Sequence, residues 1–185
     1  MDSLICGVLM EDPLGRVILH GGVKESQTIY TKRLSRAGCD TARIHFLGAL
    51  PHHQLLALYA LSDVVLDSYP AGGCTTTREV LALGKALVTL PARLLGGRWS
   101  YAYYRIMEDD ALNRLVIATS SEEYVKLAVK LGTSAEVRNE AESRIKSSVH
   151  KLYESLDSIR AWDKVFLDIA PVAIDESWRT GNDEL

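Results

Sequence analysis

The residues of this chain that could do chemistry lie close together. Between Asp67 and Pro91 the sequence reads DSYPAGGCTTTREVLALGKALVTLP, a strand end, a glycine turn and a helix start. Gly72 and Gly73 remove two side chains from the turn, which lets backbone N–H groups approach an anion closely. Thr75, Thr76 and Thr77 add three hydroxyls where a helix begins, and a helix start carries unpaired N–H groups and a partial positive charge. A diphosphate fits such a cradle. Glu79, one turn further on, is a poor neighbour for phosphate but a good acceptor for ribose hydroxyls. The same residues also read as an ordinary helix cap, with one threonine capping and the others merely exposed, and the residue types leave both readings open. GGCTTT lacks the GK[ST] signature, so a P-loop ATPase is disfavoured.

These residues need elements to hold them. Val17, Ile18 and Leu19, closed by Gly21 and Gly22, predict a strand. A helix over 24–37 follows, with Gly38 as its C-cap, then a strand over 43–46, a helix over 52–61 and a strand over 64–67. A helix over 75–83 and a strand over 86–90 continue the alternation. Apolar strands between amphipathic helices predict an α/β fold with a doubly wound, mostly parallel, Rossmann-like sheet covered on both faces. In such sheets ligands sit beyond the carboxyl ends of the strands, which is where the glycine turn falls. After Pro91 the pattern predicts a helix over 99–107, a brief strand over 115–117, a capped helix start at Ser120-Ser121-Glu122-Glu123, and closing helices over 136–152 and 156–169. Leu4, Ile5, Val8 and Leu9 share helical spacing until Asp12-Pro13 stops them, so the chain opens inside an element. That opening predicts an N-terminally truncated lobe over 1–171, followed by a polar tail over 172–185.

At 185 residues, 47% hydrophobic and 24% charged, the composition is that of one ordinary globular domain. The net charge of -3 and the scattered basic residues argue against nucleic acid as a partner, and no apolar run is long enough to cross a bilayer. The expectation is therefore a cytoplasmic protein, or a nuclear one in a eukaryote, with no membrane partner. Cys6, Cys39 and Cys74 show no metal-ligand spacing and read as free thiols in a reducing compartment. Arg98 reads as a structural or solvated arginine before a phosphate ligand. Tyr101, Tyr103 and Tyr104 read as core before base-stacking rings, and Trp162, in helical register with Val165 and Phe166, as core.

The run RIHFLGALPHHQLLALYALSDVVLDSYPAGGCTTTREVLALGKALVTLPARLLGGRWSYAYYRIM, continued by SSEEYVKLAVKLG, resembles the C-terminal catalytic lobe of the O-GlcNAc transferase family, SPINDLY-like and bacterial tetratricopeptide-linked members included. The resemblance extends over about residues 13–170, and its specificity lies in the order and spacing of individually modest patterns. It implies the second lobe of a glycosyltransferase-B fold, with a UDP-sugar in the cleft between two Rossmann-like lobes and tetratricopeptide repeats upstream. By the same resemblance, Cys74, Thr75 and Thr76 stand where the family places a His-Thr-Thr group around the diphosphate. Glu79 stands where an aspartate meets the ribose, and His52 where the animal enzymes carry a lysine. The implied activity is transfer of N-acetylglucosamine, or another sugar such as fucose, from a nucleotide donor, UDP-GlcNAc, to Ser/Thr hydroxyls of an acceptor protein, with no metal. No catalytic residue is expected in this chain, which would be inactive without the first lobe. Cys74 for histidine and His52 for lysine depart from the animal pattern, the second removing a fixed positive charge beside the phosphates. The glycine-rich turn resembles the bacterial and protist branch. A non-catalytic nucleotide-sugar-binding or interaction module is the alternative reading, and a sugar epimerase of the same fold type is disfavoured for want of a catalytic set.

Overall fold

A computed structural model describes residues 1–21, 24–153 and 155–169. Helix α1 (Asp2–Glu11) leads into strand β1 (Val17–His20), helix α2 (Lys24–Arg36) and strand β2 (Ile44–Leu47). Strands β1 and β2 pair in parallel, from Val17 opposite Ile44 to His20 opposite Leu47. Helix α3 (His52–Leu61), strand β3 (Val65–Leu66), helix α4 (Thr75–Ala82) and strand β4 (Leu87–Val88) repeat the winding, and β3 pairs in parallel with β4. Thr89 then extends this ladder by a parallel bridge to Ile117. The α/β alternation and the parallel pairing are as read from the sequence. The sheet itself takes the form of two parallel pairs, with no ladder joining them among the described residues.

Helices α5 (Trp99–Met107), α6 (Asp110–Val116), α7 (Ser121–Thr133) and α8 (Ala135–Ser148) follow, and a 3-10 turn over Val149–Leu152 ends the larger of two compact units. Helix α9 (Leu156–Ile169) belongs to the second unit. No described helix is long and apolar enough to cross a membrane.

Two apolar clusters support the larger unit. The main one gathers Leu81, Ala86, Val88, Tyr104, Leu112, Val116, Tyr124 and Ile145, all fully buried, around β4. Thr77, Val80 and Leu81 recur at three- and four-residue spacing, so α4 presents one buried stripe to this cluster. The second cluster packs Val17 and Ile44 of the first strand pair against Ile5, Cys6, Leu9, Leu34 and Cys39. Helix α1 serves both, sending Leu4 into the main cluster and Ile5, Cys6 and Leu9 into the other.

Several expectations need correction. Cys6 and Cys39 are not free thiols: α1 and the turn after α2 bring their Cα atoms to 4.7 Å and they form a disulfide across 33 residues of sequence, whereas Cys74 is free and exposed. Residues 115–117 are not a strand. The Asp109 carboxylate caps the Leu112 N–H at 2.9 Å and starts α6, which runs through Val116 and leaves only Ile117 to bridge. The helix predicted over 136–152 ends its α-helical part at Ser148 and tightens into the 3-10 turn. Trp162 stacks on Phe166 with ring centroids 5.6 Å apart, yet the two are 60% and 61% exposed, so the apolar stripe of α9 is not core among the described residues. Helical spacing marks which face of a helix is apolar; it does not supply what covers that face. Of the three tyrosines of α5, only Tyr104 is fully buried. The polar tail expected over 172–185, the boundary before it and Gly22 lie outside the described residues.

The capped start read at Ser120-Ser121-Glu122-Glu123 is present. The Ser120 hydroxyl accepts from the Glu123 N–H at 3.2 Å, and the Glu123 carboxylate accepts from the Thr119 N–H at 2.7 Å and its hydroxyl. These bonds from Thr119 hold the Glu123 carboxyl below its ordinary pKa. The Leu112 N–H, with Arg144 behind it, does the same for Asp109. A carboxyl whose pKa is lowered on folding adds stability above its unfolded value and loses it as pH falls through the folded one. Thermal unfolding followed from neutral to acid pH should therefore drop through and below the ordinary carboxylate range. Asp109→Ala should cost about 1–2 kcal/mol at neutral pH, the usual worth of a helix cap, and should flatten that acid dependence.

Candidate functional site

The site is built where β3 ends. The Asp67 N–H closes the ladder on Val88 O at 2.9 Å, and its carboxylate turns inward, 7% exposed. One carboxylate oxygen accepts from the Gly73 N–H and the other from the Thr89 hydroxyl, each at 2.8 Å. The Asp67 carbonyl accepts from the buried Tyr124 hydroxyl at 2.8 Å. Burial, and then the nearby Asp67 charge, push the Tyr124 phenol well above its usual pKa, so it stays a donor. Three groups far apart in sequence thus hold the first residue of the loop.

The loop folds tightly over this anchor. The Ser68 hydroxyl donates to Ala71 O at 2.6 Å, and the Gly72 N–H to Gly96 O at 2.9 Å. A Cβ on Gly72 would stand 2.8 Å from the Asp67 carboxylate, and one on Gly97 would stand 2.1 Å from Pro70 O. Both glycines are close-approach positions, where any side chain would force the backbones apart.

The chain then enters α4 through Cys74, whose side chain makes no capping bond, and no acidic residue lies in the first turn. Thr77 is buried and engaged, with its hydroxyl 3.0 Å from Gly73 O and 3.0 Å from the Ser100 hydroxyl. It ties α4 to α5, and the set of three threonine hydroxyls reduces to two. Thr75 and Thr76 are exposed, and neither hydroxyl has a partner among the described residues. The Cys74 thiol lies 3.3 Å from the Tyr103 hydroxyl.

His52 and Glu79 meet. His52 opens α3 and reaches the Glu79 carboxylate with Nε2 at 2.9 Å, the imidazole exposed and the carboxylate half-buried. Burial, with the Glu79 charge second, raises the pKa of the neighbouring Tyr59 phenol. The structure therefore brings Gly72, Gly73, Cys74, Thr75 and Thr76 together at one helix start, with Glu79 and its partner His52 on the same helix pair. Arg98 stands aside: it donates to Ala92 O at 3.2 Å and stacks over Tyr101 at 4.9 Å, the structural role read for it. Asp67, Thr89 and Ser100 escaped the sequence reading. A polar residue closing an apolar strand, DVVLD, was the one available signal for Asp67.

Chemically, the arrangement offers an uncapped helix start with free N–H groups, two free hydroxyls and a carboxylate one turn on. This is a lobe of the glycosyltransferase-B class. It superposes on an O-GlcNAc transferase mutant of Thermobaculum terrenum with a TM-score of 0.77 at 23% identity, over 90% of this chain and 33% of that one. It also superposes on HepE of Anabaena, solved with UDP and glucose, with a TM-score of 0.63 at 18% identity, over 90% of this chain and 44% of that one. Residues 20–161 match glycosyl transferase family 41, and the chain belongs to that family. A probable UDP-N-acetylglucosamine–peptide N-acetylglucosaminyltransferase, SPINDLY, of Petunia hybrida is 29% identical over 113 residues, 52% of this chain and 12% of the relative. The UDP-N-acetylglucosamine–peptide N-acetylglucosaminyltransferase of Caenorhabditis elegans is 31% identical over 99 residues, 54% of this chain and 8% of the relative. The chain thus spans about a tenth of the length of these relatives.

The Asp67 anchor is directly testable. Asp67→Ala leaves the Gly73 N–H and the Thr89 hydroxyl without their acceptor, at about 1–3 kcal/mol for each buried orphan. Urea unfolding should show a loss of that size, and Asp67→Asn, which keeps one acceptor oxygen, should recover part of it.

Proposed function

We propose that this chain is the nucleotide-sugar-binding lobe of a protein O-GlcNAc transferase. In this reading the diphosphate of a UDP-sugar, UDP-GlcNAc in the first instance, rests on the start of α4, beside a Gly72–Gly73 turn that leaves room for it but whose own N–H groups are spent on Gly96 O and the Asp67 carboxylate. The single observation that carries it is the pair of free, exposed hydroxyls of Thr75 and Thr76 on a helix start that has no side-chain cap. Exposed hydroxyls are served by water, and at a helix start an anion can take the place of that water and accept from both.

Sugar transfer makes the diphosphate a leaving group, and negative charge grows on it as the glycosidic bond breaks. Groups already aimed at that charge stabilise it without reorganising. In this reading the α4 N–H groups and the two hydroxyls do so, and no metal ion is needed. Glu79 accepts from the ribose hydroxyls and gives up His52, whose imidazole then turns towards the phosphates. The first lobe and the tetratricopeptide repeats, as partners, place the acceptor serine or threonine. Orientation of two reactants accounts for roughly 7–11 kcal/mol of a barrier, so this lobe alone should not catalyse.

The test separates phosphate binding from fold support. Replacing Thr75 and Thr76 together with valine keeps shape and removes two donors, each worth about 1.5–3 kcal/mol on a charged oxygen. Calorimetric titration should show UDP binding weakened roughly tenfold or more, uridine binding nearly unchanged, and no effect of EDTA on either. Equal losses for UDP and uridine would mean that the threonines support the helix and not a phosphate. Transfer of sugar to a peptide by this chain alone would refute the division of labour between the lobes.

A further inference from the structure

Each strand pair turns one edge inward and one edge out. The Gly21 N–H donates to Leu47 O at 3.0 Å, so by the alternation of a strand Leu19 also faces β2, while the backbone groups of Ile18 and His20 point to the opposite edge. The Val65 N–H donates to Ala86 O at 3.0 Å and the Asp67 N–H to Val88 O at 2.9 Å, so the backbone groups of Leu66 point away from β4. No strand takes either edge among the described residues. Neither edge carries the lysine or proline that commonly blunts an open one. Ile18 is 45% exposed and Leu66 half-buried.

One helix packs on both pairs. The ten residues of α1 send Leu4 into the cluster on which Val65 and Leu66 pack, and Ile5, Cys6 and Leu9 into the cluster that holds Val17. Met1 touches both clusters. Helices cover the faces of parallel sheets, so α1 marks β1 and β3 as parts of one sheet. The common doubly wound order 3-2-1-4-5-6 fits the two ladders. In that order β2 and β1 take the third and second places, and β3, β4 and Ile117 the fourth, fifth and sixth. The first place, in the middle, is the one bordered by β1 and β3.

We propose that the free edges of β1 and β3 together take one extended strand, supplied from outside these 185 residues and parallel to both. A docked helix satisfies its own backbone and would leave the groups of Ile18, His20 and Leu66 unmet, whereas a strand bonds them directly. The place also sets the side chains. A strand with neighbours on both edges and helices on its faces is an unbroken apolar run, as at β4, where Ala86, Leu87 and Val88 are at most 2% exposed. The switch point of such a sheet lies between the first and fourth places, so the added strand ends beside the Asp67 loop.

The end-capped peptide Lys-Val-Val-Ile-Val-Lys serves as the probe, its lysines for solubility, titrated into the full chain by fluorescence anisotropy. It should bind saturably, and the same peptide with proline at its third and fourth residues, which lacks a donor on each edge, should bind roughly tenfold more weakly or worse. Ile18→Pro and Leu66→Pro each remove one outward N–H and none from the β1–β2 or β3–β4 ladders, and should weaken the first peptide by a similar factor. Hydrogen exchange on the native chain gives a reading that needs no variant to fold: the amides of Ile18, His20 and Leu66 should slow when the peptide binds. Absence of saturable binding, equal affinity for the proline peptide, or binding without slowing at Ile18 and Leu66 would overturn the proposal. So would slowing of the same amides by self-association without peptide, which would give these edges to a second copy of the chain.

Discussion

The Asp67 carboxylate holds together the part of the molecule where chemistry can occur. It is buried at the end of β3, and its two oxygens join the glycine loop, through the Gly73 N–H, to the residue that extends β4, through the Thr89 hydroxyl. A buried carboxylate is costly unless its lone pairs are filled, and here each oxygen is filled by a group from a different segment. The Tyr124 hydroxyl adds a bond from α7 to the carbonyl of the same residue. Loop, sheet and helix are therefore set relative to one another by one residue, and the start of α4 inherits its position from that arrangement.

The surrounding fold keeps this anchor dry. Leu81, Val88, Tyr104, Leu112, Val116 and Tyr124 are fully buried around β4, and the Tyr104 hydroxyl donates to Leu87 O at 2.7 Å while accepting from the Leu87 N–H at 3.2 Å. Thr77 and Ser100 join α4 to α5 from inside, leaving Thr75 and Thr76 outside. Three adjacent threonines thus divide between packing and exposure, because a helix turns each successive side chain by about 100°. The same rotation lets α5 bury Tyr104, touch Cys74 with Tyr103 and hold Tyr101 under Arg98.

His52 is bonded to Glu79, the first turn of α4 has no acidic residue, and Arg98 donates to Ala92 O and stacks over Tyr101. The donor site proposed here would hold phosphate through hydroxyls and backbone N–H groups.

Much of this was legible in the sequence. The alternation of strand and helix, the bounds of α3, the cap at Ser120, and the glycine turn opening α4 all follow from periodicity and from residues whose backbone chemistry is local. The resemblance to O-GlcNAc transferases was carried by the order of those same local patterns. Contacts between distant segments were not legible. The Cys6–Cys39 disulfide spans 33 residues, Asp67 reaches Thr89 and Tyr124, and His52 meets Glu79 across 27 residues; nothing in the local pattern marks these pairs. The exposure of Trp162 and Phe166 has the same origin, because a helix carries its apolar face in its own sequence and its cover, if any, in another segment. Local sequence determined which elements form and which faces are apolar, since those depend on neighbours a few residues away; only the packing of segments against one another decided which polar groups are spent inside the fold and which remain free to bind.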